Sequence, residues 1–159
     1  MPWLPEAIWK RRLESELVLM SESNSGSFSC SADKTVYEIV LNGPGLSKEG
    51  GTVSKRGTHL VRVLLKREFP YAGGIEVTWL SPIFHPNIRS EDGKVCIKLI
   101  NQWAEGQTVK QVVDALKQLL ENPNPASPLN HEAADYFEAN PNALNFAEPP
   151  AFRKPRIVG

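Results

Sequence analysis

Three strand-like runs follow one another between Val36 and Trp79, with turn signals but no helical pattern between them. Val36 to Leu41 is mostly apolar and β-branched, and Leu60 to Lys66 is rich in leucine and valine. Ile75, Val77 and Trp79 then alternate strictly with polar residues. Parallel neighbours need a long, usually helical crossover, so this order predicts an antiparallel meander. Asn42-Gly43-Pro44-Gly45 reads as the end of the first run. The polar stretch Ser47 to Gly57, with Gly50-Gly51, reads as a hairpin connection.

Helices flank this block. Pro5 suits a first helical turn, and Trp9, Leu13, Leu17 and Met20 recur at helical spacing, leaving Lys10, Arg11, Arg12 and Glu14 in water. Ser21 to Ser29 reads as a polar turn region, with Cys30 after it as a small filler. Thr108 and Gln111 form a capping box ahead of an apolar face of Val109, Val112, Val113, Leu116, Leu119 and Leu120. Asn122-Pro123 stops that helix. Asn130 can cap another over His131 to Ala139, and a short helical piece is expected around Ala143 to Ala147.

The 159 residues suffice for one domain with a real core, expected over 1–148, followed by a short basic tail over 149–159. A formal net charge of zero gives no global field toward nucleic acid or an anionic membrane. Two cysteines lack both a disulfide framework and metal-ligand spacing, and no cofactor is expected. Met1-Pro2-Trp3-Leu4-Pro5 breaks any leader-like apolar run, and no stretch reaches transmembrane length, so the chain reads as soluble and cytoplasmic.

Between Pro82 and Thr108 periodicity is lost, which in a compact domain points to function. This stretch holds His85-Pro86-Asn87 and, eleven positions after the histidine, Cys96 within Val95-Cys96-Ile97. A thiol near a side-chain amide suits acyl chemistry, in which sulfur carries the acyl group and the amide steadies an oxyanion. No dedicated base lies nearby, which favours transfer between activated esters over amide hydrolysis. A buried structural thiol is the bland alternative for Cys96. His85 reads as a loop support and Trp103 as core.

In this order the motifs resemble the ubiquitin-conjugating enzyme family over about Ala7 to Asn142. The resemblance is carried by Arg11-Arg12-Leu13, Gly43-Pro44, Gly50-Gly51, Phe69-Pro70-Tyr71, His85-Pro86-Asn87, Cys96, Trp103, Pro123-Asn124-Pro125, Pro128-Leu129 and Glu132-Ala133-Ala134. It implies an α+β fold: an N-terminal helix, a four-stranded antiparallel meander sheet, an active-site loop, then central and C-terminal helices. Cys96 would take ubiquitin or a ubiquitin-like modifier from an activating enzyme as a thioester and pass it to a lysine or a ligase. Asn87 would serve the oxyanion or hold the loop, with His85 as support and Ser127 orienting the acceptor lysine. Lys10, Arg11 and Arg12 would face the activating enzyme, and Tyr71 and Glu105 a RING-type ligase. A non-catalytic module of the same fold, or a cysteine hydrolase using His85 or His131, are the competing readings.

The chain also departs from the pattern. One extra residue falls between His85 and Cys96, in Arg89-Ser90-Glu91-Asp92-Gly93, and Cys96 to Trp103 is one shorter. Gly73-Gly74 replaces paired prolines, Ala104-Glu105-Gly106 replaces the usual second ligase loop, and Asp114 replaces an apolar residue. Ser127 stands where an acid is common, leaving Glu91 or Asp92 as candidates to deprotonate a lysine. The compact chain, the altered ligase loops and the absence of long extensions would also suit a minimal, divergent prokaryotic or archaeal modifier system.

Overall fold

The computed structural model describes residues 3–23, 27–71, 73–95 and 108–145. Helix α1 (Glu6–Glu22) starts at Pro5, whose carbonyl accepts the Trp9 N–H at 2.9 Å. Leu13 and Met20 are buried, with Trp9 and Leu17 half-buried against the same core. Arg12 does not stand in water as its place on the polar face suggested. Its side chain is only 25% exposed, because it pairs with Glu16, a buried carboxylate on the inner face.

The sheet is a four-stranded antiparallel meander in the order β1-β2-β3-β4. Strand β1 (Phe28–Cys30) pairs with β2 from Phe28↔Ile39 to Cys30↔Tyr37, so Cys30 is a strand residue rather than loop filler. Burial pushes its thiol pKa up. Strands β2 (Val36–Glu49) and β3 (Thr52–Leu65) form one long hairpin closed at Gly50-Gly51. Both glycines have positive φ (59° and 82°), which a two-residue hairpin turn demands.

The expected strand end at Asn42 is instead a β-bulge, where the register slips between Asn42/Thr58 and Gly45/Arg56. The cause is tertiary. The buried His59 ring occupies the space beside Gly45, where a Cβ would come within 2.6 Å of its Cε1, and His59 Nε2 bonds the Gly43 carbonyl at 3.0 Å. The polar letters of 47–49 and 52–56 are paired strand, and the hairpin turn itself is confined to Gly50-Gly51.

Strand β4 (Ile75–Trp79) buries Ile75, Val77 and Trp79. Helix α2 (Val109–Glu121) lays all six predicted apolar residues on this core, behind an intact Thr108/Gln111 capping box. Helix α3 (His131–Ala139) is capped by Asn130, whose side chain accepts the Ala133 N–H at 3.0 Å. It packs on a smaller cluster of Leu46, Phe84 and Ala133 at the far end of the hairpin. Residues 141–144 form turns rather than the start of another helix, because Ala143 and Asn145 donate to carbonyls only three residues back. Ala147, Trp103 and the expected boundary at 148 lie outside the described residues. Among those residues, no helix is long and apolar enough to cross a membrane.

Candidate active site

The loop after β4 delivers His85-Pro86-Asn87 into the interior; His85 is 2% exposed and Asn87 0%. The backbone N–H of Asn87 donates to His85 Nδ1 at 3.0 Å. The proton of the ring therefore sits on Nε2, which donates to the Leu119 carbonyl at 2.9 Å. That carbonyl belongs to the last turn of α2 and lacks a helical partner of its own. Burial outweighs this bond and lowers the imidazole pKa to about 4. His85 is thus neutral with both nitrogens engaged, a brace and not a base, which removes it as the histidine of a cysteine hydrolase.

The Asn87 amide is saturated. Nδ2 donates to the carbonyls of Asn124 at 2.8 Å and Ser127 at 3.4 Å, while Oδ1 accepts the Asn124 N–H at 2.8 Å. The Pro86 carbonyl accepts from Leu129 N–H at 2.7 Å and Asn130 N–H at 3.0 Å. The tripeptide therefore holds the entire connection between α2 and α3, with Ser127 exposed on its outer side. Two expected site residues, Asn87 and Ser127, meet here across forty positions of sequence. Nothing local in Pro123-Asn124-Pro125 announces the role of Asn124, which rests on its main-chain groups.

On its other side the tripeptide leads into the turn before Cys96. Ile88 is buried and bridges Val95, which is 1% exposed and donates to the Val77 carbonyl on β4 at 3.4 Å. Arg89 and Asp92 form a two-pronged ion pair (3.0 and 2.7 Å), and Asp92 also accepts the Lys94 N–H. Hydrogen bonds from Arg89 lower the Asp92 carboxyl to about 2, so it is a poor proton acceptor. Glu91, also exposed, has no such clamp among the bonds of this turn. Gly93 (φ 77°) passes so close to β4 that a Cβ would lie 2.0 Å from the Trp79 carbonyl oxygen. The turn from Arg89 to Gly93 is thus a tied loop. Cys96 and Glu105 themselves lie outside the described residues.

The residues expected to face partners gather elsewhere. Arg11, Arg12 and Ile8 of α1 share a groove of about 420 Å³ with Pro70 and Tyr71. Lys10 is exposed and paired with Glu6, and Arg12 is partly withdrawn over the Phe69 ring, 5.0 Å from its centroid. Asp114 on α2 pairs with Lys110 at 2.9 Å. Among the described residues, no three His, Cys, Asp or Glu side chains gather as a metal site.

A family model described as ubiquitin-conjugating enzyme matches residues 12–147. Ubiquitin conjugating enzyme E2 B of Dictyostelium discoideum is 26% identical over 109 residues, covering 69% of this chain and 70% of that protein. Ubiquitin-conjugating enzyme E2 2 of Mycosarcoma maydis is 28% identical over 135 residues, covering 82% and 69%. In fold, the chain is similar to the E2 domain of a Toxoplasma gondii ubiquitin conjugating enzyme, with a TM-score of 0.67 at 23% identity over 87% of this chain and 92% of that one.

Proposed function

The chain belongs to the ubiquitin-conjugating enzyme family, and from that premise we propose that Cys96 carries the modifier as a thioester. Ubiquitin conjugation is the function its relatives' names record. In the proposed step the Cys96 thiolate attacks the thioester carbonyl on an activating enzyme. A new C–S bond forms, the old one breaks, and the activating enzyme's thiolate leaves. A lysine amine then attacks the Cys96 thioester: a C–N bond forms, the C–S bond breaks, and sulfur departs as thiolate while the amine loses its proton.

The observation that carries the reading is the tie of Val95, the residue before Cys96, to both β4 and Ile88 beside Asn87. That tie fixes the entry to the cysteine against the Asn87 loop. A thioester is already activated, so the lack of a histidine base is no obstacle. Ser127 is assigned to orient the incoming lysine, and Glu91, exposed and outside the Arg89 clamp that holds Asp92, is assigned to receive its proton. Lys10, Arg11 and Arg12 are assigned to the activating enzyme, and Tyr71 and Glu105 to a RING-type ligase.

Incubation with a matched activating enzyme, ATP and modifier tests this. The expected result is an adduct that thiol reductant removes from the natural chain and that survives reductant in Cys96→Ser. No adduct on the natural chain with any matched activating enzyme would refute the reading.

A further inference from the structure

Glu16 is a carboxylate inside the apolar stripe of α1, 2% exposed. Oε1 accepts the backbone N–H of Val109, the first residue of α2, at 2.7 Å. Oε2 accepts from Arg12 Nε at 2.8 Å. A helix start leaves N–H groups without helical partners and carries partial positive charge, so a carboxylate is well matched there. A carboxylate this deeply buried also needs a countercharge, which Arg12 supplies. Arg12 in turn lies over Phe69 and lines the groove formed with Pro70 and Tyr71.

Residues 96–107 join Val95 to Thr108, so the segment containing Cys96 ends where Glu16 holds α2. We propose that Glu16 is a positioning residue: it couples Arg12 in the partner-facing groove to the first turn of α2, and so sets the rate at which a Cys96 thioester is discharged. A partner carboxylate that draws Arg12 outward leaves Glu16 buried without its countercharge, and the start of α2 loosens with it. The discharge step rests on the conjugating reading; the coupling itself does not.

A double-mutant cycle with Arg12→Ala, Glu16→Gln and the pair tests the coupling. Amide exchange at Val109 is followed by NMR, and discharge of a preformed thioester onto free lysine is followed in single turnover. Each single variant is expected to speed exchange roughly tenfold or more, on the scale of one lost charge-assisted hydrogen bond, and to slow discharge measurably. The double variant should be no worse than the worse single one. Simple loss of folded protein lowers the amplitude of discharge but leaves its rate constant, so the rate constant is the deciding readout. Arg12→Lys and Glu16→Asp replace any variant that does not fold. Additive effects, exchange like that of the natural chain, or faster exchange with unchanged discharge would each overturn the proposal. A natural chain that forms no thioester refutes the conjugating reading instead, and the exchange cycle then decides the coupling alone.

Discussion

Acidifying the protein from pH 7.5 to 5.0 isolates what the neutral His85 ring contributes. An unfolded histidine titrates near 6.5, whereas burial holds the folded ring near 4. Below pH 6.5 the unfolded chain therefore takes up a proton that the folded chain refuses. Stability from this group is fully present above 6.5 and is lost as pH falls toward 4. The slope is about 1.4 kcal/mol per pH unit, so about 2 kcal/mol is gone by pH 5 and about 3 kcal/mol over the whole window. The structural reason is double: protonating Nδ1 would place a charge in a site 2% exposed and destroy the bond it accepts from the Asn87 N–H. Urea unfolding midpoints at both pH values, for the natural chain and for His85→Gln, measure the difference. The variant starts less stable, but its stability should fall by about 2 kcal/mol less on acidification. His59, whose pKa burial also lowers, is present in both chains and drops out of the comparison. Parallel pH dependences in the two chains would refute the reasoning.

Asn87→Ala removes both partners of the Asn124 main chain, and with that residue half-exposed, water can replace part of the loss. The expected cost is about 2 kcal/mol, read as a lower urea midpoint at an unchanged m value; a change under about 0.5 kcal/mol would show that the clamp carries no weight. Gly93→Ala meets both a positive φ and the Trp79 carbonyl at 2.0 Å, whereas Gly50→Ala meets only its φ of 59° and open space. The first should lower the thermal midpoint several degrees more than the second, on the order of 2 kcal/mol against about 1, and equal losses would contradict the close approach.

Features written in local chemistry were legible in the sequence. The Thr108/Gln111 box and the Asn130 cap depend on residues three positions apart, and both helices start where those letters place them. Gly50-Gly51 likewise marks its own turn. Features decided across the fold were not. Gly43-Pro44-Gly45 carries every mark of a turn, yet it is a bulge because His59 and Leu120 fill the space a side chain would take. Phe28-Ser29-Cys30 is too short to show a period and becomes a strand only by pairing with β2. Glu16 gave one readable hint: it lies three residues after Leu13 and four before Met20, on the stripe that must be buried. A carboxylate there requires partners; Arg12 lies one turn back, but the Val109 N–H is ninety-three residues away.

The site shows the same division. Asn87 and Cys96 stood out as letters, but their chemistry depends on which hydrogen bonds the amide is already making. Two of its three bonds, both to Asn124, are 2.8 Å long; the third, to the Ser127 carbonyl, is 3.4 Å. Asn87 is also fully buried, so no oxyanion can reach it until the Ser127 side of its pocket moves. An oxyanion arriving there would compete for the longest, weakest bond only, and a charge-assisted bond of this kind is roughly twice as strong as a neutral one. The bonds to Asn124 would meanwhile keep the amide aimed. On the proposed conjugating reading, support of the loop and service to an oxyanion would therefore be successive uses of one side chain rather than rival ones, and the residue displaced between them would be Ser127.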